Sequence, residues 1–209
     1  MFTGPDTALP ALMAAATLTQ QAQALTILAR AAIGHANAGR TTISTEVLHA
    51  IDTALDTTPP APQALQAVSA ALPHPSRALA SLALRLTHDL IKVYRELAAL
   101  NPDHPDAFHP DLAGALNNLS IRYGELGRRA EALTASEEAT AVYRRLAADN
   151  PDAYESDLAG SLNNLSVDYG AVGRRAEGLS AIVEATEIRR RLAAANPDAY
   201  EPDLAGALN

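Results

Sequence analysis

The ten residues Asp111-Leu-Ala-Gly-Ala-Leu-Asn-Asn-Leu-Ser120 return as Asp157-Leu-Ala-Gly-Ser-Leu-Asn-Asn-Leu-Ser166 and begin again as Asp203-Leu-Ala-Gly-Ala-Leu-Asn209. Both spacings are 46 residues, and residues 111–156 and 157–202 are identical at 32 of 46 positions. A period of this length marks one supersecondary unit, copied and stacked, that buries its apolar face only against its neighbours.

Each unit reads as two helices. Leu112, Leu116, Leu119 and Tyr123 fall at helical spacing, as do Leu158, Leu162, Leu165 and Tyr169. Gly127 and Gly173 end the first helix, because glycine accepts the left-handed conformation of a helix stop. Ala135, Ala139, Val142 and Leu146 form the stripe of the second helix, expected from Arg128 to about Ala148; Ala181, Ala185, Ile188 and Leu192 repeat it. Asn150-Pro151-Asp152 and Asn196-Pro197-Asp198 close each unit, since a residue before proline is steered out of the helical region. Pro110 and Pro202 suit the first turn of the helix that follows.

The series Leu116, Leu119, Ser120, Tyr123, Gly127, Ala132, Ala139 matches the tetratricopeptide pattern of large residue, Leu, small residue, Tyr, Gly, Ala, Ala. Leu162, Leu165, Ser166, Tyr169, Gly173, Gly178 and Ala185 match it again, with Gly178 in place of the first Ala. The chain therefore resembles the tetratricopeptide repeat family, and its Leu-Asn-Asn-Leu-Ser string and long unit look most like the kinesin-light-chain subgroup. The usual period is about 34 residues, and helical units of roughly 40–47 residues of the HEAT type are the rival by length. The resemblance implies an all-α fold, a right-handed α-solenoid of antiparallel helical hairpins, and a non-catalytic role in binding protein.

Residues 110–155 and 156–201 are the two full units, with a third, truncated one from 202. Residues 59–109 read as a degenerate hairpin, in which Val93-Tyr94-Arg95 corresponds to Val142-Tyr143-Arg144 and Gln63–Leu72 is the partner helix. Residues 1–58, with expected helices at Leu9–Ala36 and Ser44–Leu55, are assigned as an N-terminal helical cap or small helical domain.

Composition removes several classes of function. There is no cysteine, which excludes disulfides, a thiol nucleophile and thiolate metal sites, and fits a cytoplasmic location. The net charge is −8, and residues 101–209 carry all of the imbalance. An acidic chain without a basic stripe repels phosphate backbones, so neither nucleic acid nor an anionic membrane is expected as partner. No apolar run reaches the roughly 20 residues of a membrane span, and no basic residue precedes Arg30 as a secretory leader would require.

Candidate chemistry is sparse, and neither cofactor nor metal is expected. The loop from Asp103 to Asp111 gathers His104 and His109 with three aspartates, but the corresponding stretches at 150–157 and 196–203 hold no histidine; helix capping explains it more simply. Ser120 and Ser166 lack a nucleophile-elbow sequence, and Lys92, the only lysine, belongs to no phosphate-binding loop. The arginine pairs read as solvated faces, with Glu187 and Arg191 as one i,i+4 pair; a clamp for an anionic peptide is the alternative.

The face of the first helix opposite its leucines carries Gly114, Asn118, Ile121 and Glu125, and in the next unit Gly160, Asn164, Val167 and Ala171. The resemblance places this face on the concave surface, where a peptide or protein segment docks. The candidate groove set is Asn117, Asn118, Ile121 and Glu125 with Asn163, Asn164 and Val167. Asparagine both donates and accepts, so it reads a peptide backbone regardless of sequence; the competing role is a tie between repeats. Because the third unit stops at Asn209, the stripe Ala181, Ala185, Ile188 and Leu192 is expected to lie open at the C-terminal end and to drive homo-oligomerisation. Two other readings remain: a self-assembling spacer array, and the repeat region of a larger regulator.

Overall fold

The computed structural model describes Pro62, residues 80–101 and residues 107–196. The expected helices at Leu9–Ala36, Ser44–Leu55 and Gln63–Leu72, His104 in the candidate metal loop, and the third unit from Pro202 lie outside the described residues. Among the described residues five helices run in order: α1 (Ala80–Leu100), α2 (His109–Glu125), α3 (Arg129–Asp149), α4 (Pro151–Ala171) and α5 (Arg175–Ala195). No strand occurs among the described residues, and no helix among them is long and apolar enough to cross a membrane. The chain divides into two compact units, residues 1–93 and 94–209. Within the second, each helix from α2 to α5 packs on the next, which makes two stacked hairpins of an all-α solenoid.

Local chemistry sets the hairpin corners. Gly127 and Gly173 have φ of 73° and 83°, the left-handed region that glycine enters without steric cost. At the first corner the Gly127 N–H donates to the Gly124 carbonyl at 3.0 Å and the Arg128 N–H to the Tyr123 carbonyl at 2.8 Å. The second corner repeats these bonds at 3.1 and 2.9 Å, from Gly173 to Gly170 and from Arg174 to Tyr169. This pair of bonds satisfies carbonyls that the end of a helix leaves orphaned. Arg128 and Arg174 then lie back over the rings of Tyr123 and Tyr169, 4.4 and 4.5 Å from the centroids, and bond forward to Glu131 and Glu177.

The connection between hairpins differs from expectation. The stretch 150–157 is not a loop: Asn150 alone separates α3 from α4, and the second hairpin begins at Pro151 rather than at 156. Proline disfavours the helical conformation in the residue before it, and Asn150 accordingly sits at φ −143°, ψ 83°. Proline itself fits the first helical position, where no N–H is needed. The same Asn-Pro pair therefore stops one helix and starts the next.

The buried leucines fall where the spacing placed them: Leu112, Leu116, Leu119 and Tyr123 on α2, and Leu158, Leu162 and Leu165 on α4. On α3, Ala135, Ala139 and Leu146 are buried and Val142 is half-buried; Tyr143, not counted in the stripe, is buried as well. The buried set of α1, Ala83, Leu86, Thr87, Leu90, Ile91 and Tyr94, recurs 49 positions later on α3 as Ala132, Ala135, Ser136, Ala139, Thr140 and Tyr143. The buried positions of α1 and α3 thus follow one pattern.

The expectation for the C-terminal end needs correction. Ala181, Ala185 and Ile188 are not open; they are buried in a core with Leu158, Ala159 and Leu162, and Leu192 packs against it. That stripe faces its own hairpin partner α4. The residues of α5 left open are Leu179 and Val183, at 64% and 47% exposure, whereas Leu133, the equivalent of Leu179, is 8% exposed on α3.

Two measurements test this packing. Leu119→Ala and Leu165→Ala should each lower unfolding free energy by roughly 2–5 kcal/mol in urea melts, as buried Leu truncations do. A methyl at Gly178 would stand 3.0 Å from the Ser166 backbone oxygen and 3.4 Å from Tyr169 Cβ, while one at Gly170 meets nothing within 4 Å. Gly170→Ala should therefore gain about 0.5–1 kcal/mol from helix propensity, and Gly178→Ala should lose stability. Equal effects of the two alanines would contradict the close α4–α5 crossing.

Candidate functional site

An open depression of about 490 Å³ lies across the first helices of the two hairpins. Gly114, Asn117, Asn118 and Ile121 of α2 line one side, and Gly160, Ser161, Asn163 and Asn164 of α4 the other. The glycines keep its floor open: a methyl at Gly160 meets nothing within 4 Å, and one at Gly114 meets only the Tyr143 hydroxyl at 3.6 Å. One-turn spacing explains the pairing of Gly114 with Asn118 and of Gly160 with Asn164 on a common face.

Of the candidate groove residues, Asn117, Asn118, Ile121, Asn163 and Asn164 are brought together here. Glu125 and Val167 are not among the lining residues. Glu125 is exposed at the C-terminal end of α2, 3.9 Å from Arg122, and Val167 is 64% exposed one turn further along α4 than Asn163. Asn118 is exposed and Asn164 half-buried, and neither side chain has a hydrogen-bond partner among the described residues.

Asn117 behaves differently from its neighbour. Its Oδ1 accepts a bond from Ser161 Oγ at 3.1 Å, and Ser161 Oγ lies 2.9 Å from Thr140 Oγ1. This buried chain joins α2, α3 and α4, so the tie between repeats that was weighed for Asn118 is made by Asn117. Asn163 has no such bond because its register on α4 has no following hydroxyl among the described residues.

Five lining residues escaped the sequence reading: Tyr143, Ser156, Asp157, Ser161 and Arg189. The register was the available signal, because Arg189 occupies in α5 the place of Tyr143 in α3. Burial, with Asp157 and Asp111 nearby, pushes the Tyr143 phenol up to about 12, so it stays a neutral donor and reaches the Pro110 carbonyl at 3.4 Å. Burial also raises the Asp157 carboxyl above its ordinary value. Arg189 has no ion-pair partner among the described residues. The depression thus offers unspent amide groups, one carboxyl and one guanidinium.

Most arginines outside it are committed. Arg95 of α1 pairs with Glu138 of α3, and Arg144 of α3 with Glu184 of α5, each at 2.6 Å. Arg191 pairs with Glu155 across the hairpin at 2.6 Å, so the expected Glu187–Arg191 pair is not the one formed. The cross-hairpin carboxylate sits closer than the next turn of the same helix. His109 accepts a bond from Arg145 at its Nδ1, 2.7 Å away, as it must because guanidinium only donates. No group of metal-ligating side chains occurs among the described residues. Ser120 is buried, and its hydroxyl donates to the Asn117 carbonyl at 3.1 Å.

Comparison with known families matches residues 112–152 and 158–198 to the tetratricopeptide repeat. Those two segments cover the two hairpins described above. No curated protein matches the chain.

The adjacent asparagines should separate in a stability measurement. Asn117→Ala leaves Ser161 without its acceptor in the tie and should cost about 1 kcal/mol. Asn118→Ala should stay within about 0.5 kcal/mol of wild type, as surface changes do. Urea denaturation of both variants checks this, and equal losses would place Asn118 in the tie as well.

Proposed function

Starting from two hairpins of tetratricopeptide type, we propose that this protein is a non-catalytic interaction scaffold that holds an extended peptide or protein segment in the depression across α2 and α4. One observation carries the reading: Asn118 and Asn164 stand one repeat apart on a common face, over a floor of glycine, with their amides uncommitted. Such amides pair with main-chain N–H and C=O groups of a strand laid across them. Ile121 supplies an apolar contact, and Arg189 and Asp157 favour a segment with charges at matching ends. The acidic balance and lack of cysteine support a cytoplasmic protein partner rather than nucleic acid or membrane. The long unit and the Leu-Asn-Asn-Leu-Ser string support the kinesin-light-chain-like subgroup.

A second reading, self-assembly of the array through its end, draws on Leu179 and Val183. Exposed apolar side chains on one helical flank mark association surfaces. Concentration-dependent sedimentation that Leu179→Glu with Val183→Glu abolishes would support it; a monomer at all concentrations would remove it.

For the groove, Asn118→Ala combined with Asn164→Ala should melt within error of wild type. Peptides selected on the wild-type protein from a displayed random library should bind this variant at least about tenfold more weakly, the loss of two hydrogen bonds. Unchanged affinity, measured by calorimetry, would overturn the proposal.

A further inference from the structure

Asp168 lies on α4 where the second hairpin meets the first. It is 8% exposed, and its Oδ2 has no hydrogen-bond partner. From α2 it faces the hydroxyl of Ser120, and from α3 that of Ser136, both buried. These hydroxyls donate to carbonyls of their own helices, Asn117 and Leu133, each at 3.1 Å. The charged groups at the same joint are engaged elsewhere: Arg122 of α2 with Glu125 at 3.9 Å, and Glu137 of α3 with Arg174 at 3.3 Å and the Tyr169 hydroxyl at 3.0 Å. The repeat does not demand a carboxylate here, since Arg122 holds the equivalent place in the first hairpin.

We propose that Asp168 makes the joint between the two hairpins pH-sensitive, tightening when the carboxyl takes a proton and loosening when it ionises. A protonated carboxyl can donate to one serine oxygen and accept from the other, which satisfies the orphaned Oδ2 without moving a helix. The ionised form keeps its Oδ2 buried without a hydrogen-bond partner, a costly arrangement unless hydroxyls turn toward it. Burial raises the Asp168 carboxyl above its ordinary 3.8, and the two serines hold it down in part. A folded-state value above the unfolded one contributes stability that is complete below about pH 3.8 and lost as pH rises through the folded value. Neutral pH is therefore the looser side of the joint.

The carboxyl carbon of Asp168, followed by NMR in the full chain, should titrate above 3.8, and Ser136→Ala should move that titration higher. Asp168→Asn should melt above wild type at pH 7, with the gap closing toward pH 4, and α4 amides should exchange more slowly in the variant at pH 7. A carboxyl titrating at or below 3.8 overturns the proposal whatever the variants do, as does a melting gap that does not change with pH.

Discussion

Close approach of helix backbones at small residues is the constraint on which the described fold depends. Ala113, Ala132, Ala139, Ala159 and Ala185 are at most 1% exposed, and at Gly178 an added methyl would stand 3.0 Å from the Ser166 backbone oxygen. Small side chains bring the axes together, and the leucines and tyrosines beside them, Tyr123 and Tyr143 among them, then interdigitate into the core. With helices this near, short hydroxyl side chains such as Thr140 and Ser161 reach across to one another. The hydrogen-bonded tie between hairpins follows from the spacing and would fail with bulkier residues at the crossings.

Legibility in the sequence tracked how local each cause is. The corners at Gly127 and Gly173 and the buried faces of α2 and α4 follow from one residue's conformational freedom and from periodicity, and both can be read along the chain. Asn117 and Asn118 could not be told apart in this way. They are about 100° apart on one helix, and only the approach of α4 decides that the first bonds Ser161 while the second stays open. The partner of Arg191 was hidden for a similar reason: Glu187 is near in sequence, but Glu155 is reached across the hairpin. Position 150–157 misled because the Asn-Pro pair signals a break and does not reveal that the break is one residue long.

The two hairpins share their scaffold and differ where their neighbours differ. Tyr143 becomes Arg189 and Arg122 becomes Asp168, while Leu133 is kept as Leu179 and changes from buried to exposed. The first exchange falls at the depression and the second at the contact between the two hairpins, while the leucines inside each hairpin are retained. Copies of a unit can diverge at their junctions as long as the internal packing is kept. The candidate groove is built from the conserved spacing of glycine and asparagine, and its charge from the divergent positions.

The connections have a further consequence for how the stack meets proteases. Asn150 alone joins α3 to α4, and three residues turn each hairpin corner, at 126–128 and 172–174. A protease must lay an extended segment through its cleft, and exposed loop tips are where chains are usually nicked. The stretch from α2 to α5 offers no such segment unless a helix first unravels. Its cleavage is then set by the opening equilibrium of the helices, so digestion of this region reports folding stability rather than surface accessibility.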